Sequence, residues 1–192
     1  FTNELGVDGR VRYLKNLSGL WLLTESIRDF ELAAPKVDIA SLIREISTLV
    51  PTQRIDVSDP SLMTPGSMMK KIQDQLLLSN QEPFESLGEL AAIILHSLGQ
   101  SYADNLEALE ELVGKQFSVL HVIGGGVQNE LLCQLTADYT NTRVLAGPVE
   151  ATAIGNILVQ ARSSGLTGPT LEDLRAVIIA SDLGVREFIP RS

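Results

Sequence analysis

The residues with the most chemical content are Val122-Ile123-Gly124-Gly125-Gly126-Val127-Gln128-Asn129, an apolar run that passes through three glycines into a helical pattern. Without Cβ atoms such a turn can adopt positive φ and let a ligand come close to the backbone. Free N–H groups at the start of the following helix then attract phosphate or polar adenosine atoms. Nucleotide binding is one reading; a tight strand-to-helix connection packed against a neighbour is the other, and the turn alone does not separate them. A Rossmann fingerprint needs G-x-G-x-x-G, but the last place here is Asn129, and the next strand ends at Ala146-Gly147 with no acidic residue for a ribose. Gly114-Lys115-Gln116 lacks both the glycine spacing and the hydroxyl residue of a P-loop. What remains is a nucleotide site of another kind. In it Gly124, Gly125 and Gly126 face purine or phosphate, and Asn129 offers a paired donor and acceptor.

The turn needs a strand before it and a helix after it. Phe117 to Ile123 is almost continuously apolar, the pattern of a strand buried on both faces of a parallel sheet. A helix through Leu131, Leu132, Leu135 and Tyr139 follows, then a short strand Arg143 to Ala146 and a helix through Ala153, Ile154, Ile157, Leu158 and Ala161. Two βα units in tandem give an α/β pattern. Upstream, Ser86 and Glu89 form a capping box for the longest helix, which Gly114 stops. Thr170 and Asp173 start a terminal helix to about Ala180 in the same way. Earlier still, Asp8-Gly9 marks a hairpin between Phe1 and Leu14. Leu20, Leu23, Ile27 and Phe30 mark a helix over 19–30, Asp38 caps a second helix ending before Pro51, and a third runs from Ser67 to Leu78. Between the last two, residues 52–66 are rich in Asp, Ser and Pro, lack periodicity and read as a loop.

Composition bounds the function classes. The 192 residues fit one globular domain, and 44% hydrophobic against 20% charged residues suffices for a core. A net charge of -9 opposes nonspecific attraction to nucleic acid or anionic membrane. No apolar run approaches the roughly 18 residues of a membrane span. Cys133, the single cysteine, cannot form an intrachain disulfide, and neither His96 nor His121 sits in a metal-ligand pattern, so a cytoplasmic setting without a structural metal is expected. The sequence opens on Phe1 and enters patterned sequence at once, as a processed or excised segment would.

Four stretches carry a resemblance: Phe1-Thr2-Asn3-Glu4, the run from Leu14-Lys15-Asn16 to Trp21-Leu22-Leu23, Ile123 to Asn129, and Ala146-Gly147-Pro148-Val149-Glu150-Ala151 on to Gly155-Asn156. Through them the sequence resembles the FGGY carbohydrate kinases, and within these the rhamnulokinases. The resemblance implies an actin-like, RNase H-like ATPase fold of the sugar kinase, Hsp70 and actin kind, with residues 1–192 forming the nucleotide-binding part of the second of two domains. It implies transfer of the γ-phosphate of ATP, with Mg2+, to the 1-hydroxyl of L-rhamnulose; a fuculose- or xylulose-type kinase is the neighbouring alternative. By the same resemblance Asn16 matches the sugar-contacting asparagine, Gly125 and Asn129 match ATP-contacting positions, and Thr24 stands where a glutamine near ATP is common. Threonine is shorter than glutamine and loses one end of the amide, so the contact is expected to be weakened, water-mediated or absent. The general-base aspartate, the Ser-Gly-Thr phosphate loop and the sugar-binding domain belong upstream of the matched segment, so the chain by itself is expected to be inactive. A binding-only actin-like module is the reading from a different class.

Plainer roles compete for several residues. Asn16 could cap the helix near Gly19, Trp21 reads as core among leucines, and His121 reads as a core or edge histidine. Cys133 reads as a small buried side chain, Gly155 as a site of close backbone approach, and Glu150 as a partner of its helix dipole. The hairpin near Phe1 reads as an open edge through which exposed faces could drive self-association.

Overall fold

Alternation in the opening segment, broken by Asp8-Gly9, gives an antiparallel hairpin of β1 (Thr2–Leu5) and β2 (Val11–Leu14) in a computed structural model that describes residues 1–191. Asp8 (φ 60) and Gly9 (φ 68) make the reversal. The register pairs Asn3 with Tyr13 and Leu5 with Val11, so the period of two gathers these residues on one face and Thr2, Glu4, Arg12 and Leu14 on the other. Glu4 and Arg12 form an ion pair at 2.7 Å, and Phe1 stacks on Tyr13 at 5.3 Å. Apart from partly buried Leu14, every strand residue of the hairpin is exposed.

The chain divides into two compact units, residues 1–101 and 102–192. In the first, α1 (Trp21–Glu31) buries Leu22, Leu23 and Ser26 and packs on α3 (Met68–Leu78), whose Met68, Ile72 and Leu76 are fully buried. Asp38 caps α2 (Ile39–Ile46) by accepting from Ala40 N, as its place in the sequence predicts. α4 (Leu87–Val113) begins with Ser86 Oγ accepting from Glu89 N at 3.1 Å. The Glu89 carboxylate reaches Glu85 N (2.7 Å) rather than the Ser86 backbone, so only half of the expected capping box forms. Residues Leu90 to Leu98 of α4 are buried all round, which is why the run is apolar on every face. Gly114, at φ 63, ends this helix as predicted.

The stretch 52–66 is more than a connection. Ile55, Val57 and Leu62 are core residues. Its backbone is tied down by Ser97 Oγ accepting from Ile55 N (3.0 Å) and by Gln81, which accepts from Arg54 N and donates to Arg54 O, both at 2.7 Å. Ser18 Oγ donates to Val57 O as well.

In the second unit, β3 (Val119–Val122) pairs parallel with β4 (Arg143–Ala146), the βα tandem expected from the sequence. A strand not foreseen, β5 (Arg186–Phe188), adds antiparallel on the far side of β4. The face bearing Leu120, Val122, Val144, Ala146 and Phe188 packs with Val127, Cys133 and Ala137, the last two from α5 (Glu130–Thr140). The opposite face carries His121, Arg143 and Glu187, and β3 is an edge strand; it is therefore half-buried rather than covered on both faces as predicted, and His121 is exposed. Helices α6 (Ala151–Ser163) and α7 (Leu171–Ala180) follow, α7 with the complete Thr170/Asp173 capping box. Among the described residues no helix is long and apolar enough to cross a membrane.

Candidate functional site

Where β3 ends, Gly124 takes φ 79 and ψ -165, a region open to glycine alone. A single 3-10 turn, Gly125–Gln128, then lifts the chain to Asn129, the N-cap of α5. Val127 is the buried side chain of this turn and holds it against the core. The glycines point the other way: a Cβ built on Gly124, Gly125 or Gly126 meets nothing within 4 Å. Close packing against a neighbour therefore does not explain these glycines; the positive φ explains Gly124, and the open space leaves Gly125 and Gly126 free to face a ligand.

Donors face that space. Gly124 N donates to Pro148 O (3.2 Å), Val127 N to Gly124 O and Asn129 N to Gly126 O. The N–H groups of Gly125 and Gly126 have no acceptor among the described residues. With the N-terminus of α5 behind them they form a small anion-attracting rim. The Asn129 carboxamide is divided: Oδ1 accepts from Leu132 N at 2.9 Å and caps α5, while Nδ2 is left for another partner.

The turn after β4 is laced to the glycine turn. Gly147 N donates to Val122 O at 2.8 Å, and Pro148 O accepts from Gly124 N, across a cis Gly147-Pro148 peptide. Gly147 must be glycine twice over, since its φ is 134 and a Cβ there would lie 3.2 Å from Val185 Cα. Glu150 stands at the N-cap of α6 without a side-chain capping bond. Gly155 has open space above it, so it serves no close backbone approach.

One residue that sequence reasoning missed stands beside the turn. Arg186, from β5, donates to Val127 O at 2.5 Å and pairs with the Glu130 carboxylate. These partners lie 59 and 56 positions away, and only the short alternation at Arg186-Glu187-Phe188 hints at a strand there. Beneath the turn, the Cys133 thiol is 2% exposed, with Sγ 4.0 Å from the carbonyls of Gly126 and Val127. Burial pushes its pKa up, and this outweighs the opposing pull of the Arg186 charge.

The other predicted site residues lie in the first unit. Asn16 is exposed in the segment between β2 and α1 and caps nothing; Leu20 occupies the N-cap of α1 and no side chain bonds to that helix end. Thr24 is exposed on α1 and its hydroxyl donates to Leu20 O at 3.1 Å, leaving an acceptor lone pair for a ligand. Trp21, one turn earlier on the same helix face, is 40% exposed and not a core residue. Burial is taken by Leu22, Leu23, Ser26 and Glu25, whose Oε1 pairs with Arg28 while Oε2 has no partner.

Comparison with known proteins gives a consistent result. Residues 1–164 match the FGGY family of carbohydrate kinases, C-terminal domain. A rhamnulokinase of Halalkalibacterium halodurans is 40% identical over 160 residues, 83% of this chain and 34% of that protein. One from Enterococcus faecalis is 40% identical over 167 residues, covering 86% of this chain and 33% of its own length. A third, from Enterobacter sp., is 39% identical over 193 residues, spanning this whole chain and 38% of the relative. The chain thus spans about a third of the length of the curated relatives it matches. With the family match running through both β1–β2 and the βα tandem around the glycine turn, the chain belongs to the FGGY family of carbohydrate kinases and corresponds to its C-terminal domain, which has the actin-like, RNase H-like ATPase fold.

Proposed function

We propose that this chain supplies the nucleotide-binding part of a kinase that transfers the γ-phosphoryl group of ATP to the 1-hydroxyl of L-rhamnulose. The observation that carries the nucleotide half of this reading is the open space over Gly124, Gly125 and Gly126, bordered by the start of α5 and by two N–H groups without acceptors among the described residues. The names of the three relatives supply the sugar. In this reading the Gly125 and Gly126 amides donate to the nucleotide, Gly124 shapes the approach, and Asn129 Nδ2 adds a directional donor. Thr24 contributes only an acceptor, and Asn16, exposed and uncommitted, is available to a sugar hydroxyl.

Phosphoryl transfer depends chiefly on positioning and charge stabilisation, to which preorganised N–H groups contribute without reorganising. Mg2+ enters as the companion of the triphosphate; among the described residues no three His, Cys, Asp or Glu side chains converge on a metal position. The base that accepts the sugar hydroxyl's proton is assigned to no residue of this chain. A base contributes about 10² to 10⁴ in rate, so the chain by itself should not turn over.

Calorimetry with ATP and ADP on the 192-residue chain tests the nucleotide site: binding heat that vanishes on blocking the glycine turn is expected, and no heat with either nucleotide rejects it. Phosphorylation assays on the full-length protein with L-rhamnulose, fuculose and xylulose test the sugar. Faster turnover of either alternative ketose reassigns the substrate. A cytoplasmic location accompanies this reading, in keeping with a single buried, unpaired cysteine.

A further inference from the structure

We propose that Arg186 is a positioning residue for the glycine turn, and that residues 185–191 act as a strap along α5 that keeps the turn in its ligand-ready shape. The inference rests on the nucleotide reading of that turn, but its geometry stands independently. α5 presents Glu130, Gln134 and Asp138 at intervals of four, one face of a helix. Each holds a successive point of the strap. Glu130 pairs with Arg186, Gln134 Nε2 donates to Ile189 O (2.8 Å), and Asp138 takes Arg191 through its backbone N (2.8 Å), Nε (3.0 Å) and Nη2 (2.6 Å). At the head of the strap Arg186 donates to Val127 O, inside the 3-10 turn itself, and Val185 Cα backs Gly147 in the neighbouring turn.

The Arg186 contacts do two separable things. The bond to the Val127 carbonyl fixes the Val127–Gln128 peptide, the far end of the same 3-10 turn whose first two residues carry the open N–H groups, and so restrains the turn as a whole. The pairing with Glu130 offsets a carboxylate at the first position of α5, where an uncompensated negative charge would repel an anionic ligand. Because Arg186 is 41% and Glu130 67% exposed at the side chain, the ion pair alone contributes little; the part-buried, charge-assisted bond to Val127 O is the stronger element. Residues 185–191 lie beyond the segment 1–164 matched to the family's C-terminal domain, within the whole-chain alignment to the Enterobacter relative.

The test uses the single thiol under the turn. Cys133 labelling by a thiol reagent, amide exchange at 124–129 and the Kd for ADP are measured on the 192-residue chain with Arg186→Ala, Arg186→Lys and Glu130→Gln, and with Arg175→Ala on α7 as control. Arg186→Ala should speed labelling and local exchange about tenfold and weaken ADP about five- to tenfold, with α7 exchange unchanged. Arg186→Lys should fall between it and wild type, and Glu130→Gln should loosen the turn by a smaller factor. Wild-type labelling, exchange and affinity in Arg186→Ala overturn the proposal. Should Arg186→Ala fail to fold, Arg186→Lys decides: wild-type labelling and exchange in that variant overturn it equally. Absence of ADP binding in the wild-type chain rejects the nucleotide reading alone, because labelling and exchange still report whether Arg186 holds the turn.

Discussion

Two adjacent glycines of the turn should respond in opposite ways to the same methyl group. Gly124 sits at φ 79 and ψ -165, where a side chain costs roughly 1–3 kcal/mol whatever the space around it. Gly125 has no positive φ and its Cβ would meet nothing within 4 Å, so alanine there adds no clash and reduces unfolded-chain entropy, a gain of about 0.4–1 kcal/mol. The two variants should therefore differ by about 1.4–4 kcal/mol, which at ~2–4 °C per kcal/mol for a chain of this size separates their melting temperatures by roughly 3–16 °C. Far-UV circular dichroism is the suitable probe, since Trp21, the only tryptophan, lies in the first unit and reports on something else. Binding should invert the order of damage per unit of stability: Gly125→Ala, fully folded, places a methyl in the space assigned to the nucleotide and should abolish the ATP heat. Equal melting of the two variants would refute the backbone reasoning. A stable Gly125→Ala chain that binds ATP like wild type would refute the placement of the ligand.

Asn129 can be separated into its two roles: Asn129→Ala should lose about 0.5–2 kcal/mol of helix capping together with nucleotide affinity, whereas Asn129→Ser keeps the cap and loses only the affinity, read by urea melts alongside calorimetry. Burial works to raise the Asp138 pKa, but its bonds to Arg191 and Gln134 prevail and hold it below the usual carboxylate range. A depressed folded pKa means stabilisation that is present above the unfolded value near 3.9 and lost as pH falls through the folded one. The Arg191 amide resonance should accordingly shift only below about pH 4, and Asp138→Asn should lack that transition. Ser97→Ala leaves the buried Ile55 N–H without its acceptor and should cost about 1–3 kcal/mol in urea unfolding.

Local signals are legible in the sequence where the chemistry that ends an element is local. Asp38, Gly114 and the Thr170/Asp173 pair each mark a helix boundary through bonds to neighbours a few residues away, and the structure places them there. Features decided by distant partners were not legible. Ile55, Val57 and Leu62 are isolated among Asp, Ser and Pro, and only Gln81 and Ser97 from other elements make that stretch part of the core. β5 has three residues, too few for a period of two to register, and exists because β4 offers it an edge. Trp21, exposed rather than core, and Gly155, open rather than closely approached, depart from expectation for the same reason: residue type reports what a position can do, while burial depends on what lies opposite. Around the turn, the three glycines and Asn129 stand out in the sequence, and the resemblance rather than their spacing points to a nucleotide; Arg186 reaches the turn from 56 to 59 residues downstream.

The placement of the strap bears on how pieces of this protein are best delimited. The match to the family's C-terminal domain ends at residue 164, although the Enterobacter relative aligns along the whole chain, and a chain trimmed at 164 would retain every glycine of the turn, all of α5 and both parallel strands. It would lose β5, expose an unpaired edge on β4, and leave Glu130 and Asp138 without their arginine partners along one flank of a helix. The end of the domain match and the end of the strap are therefore some twenty-seven residues apart in this protein, 164 against 191, and a trimmed piece that binds nothing would say more about its missing edge than about its glycines.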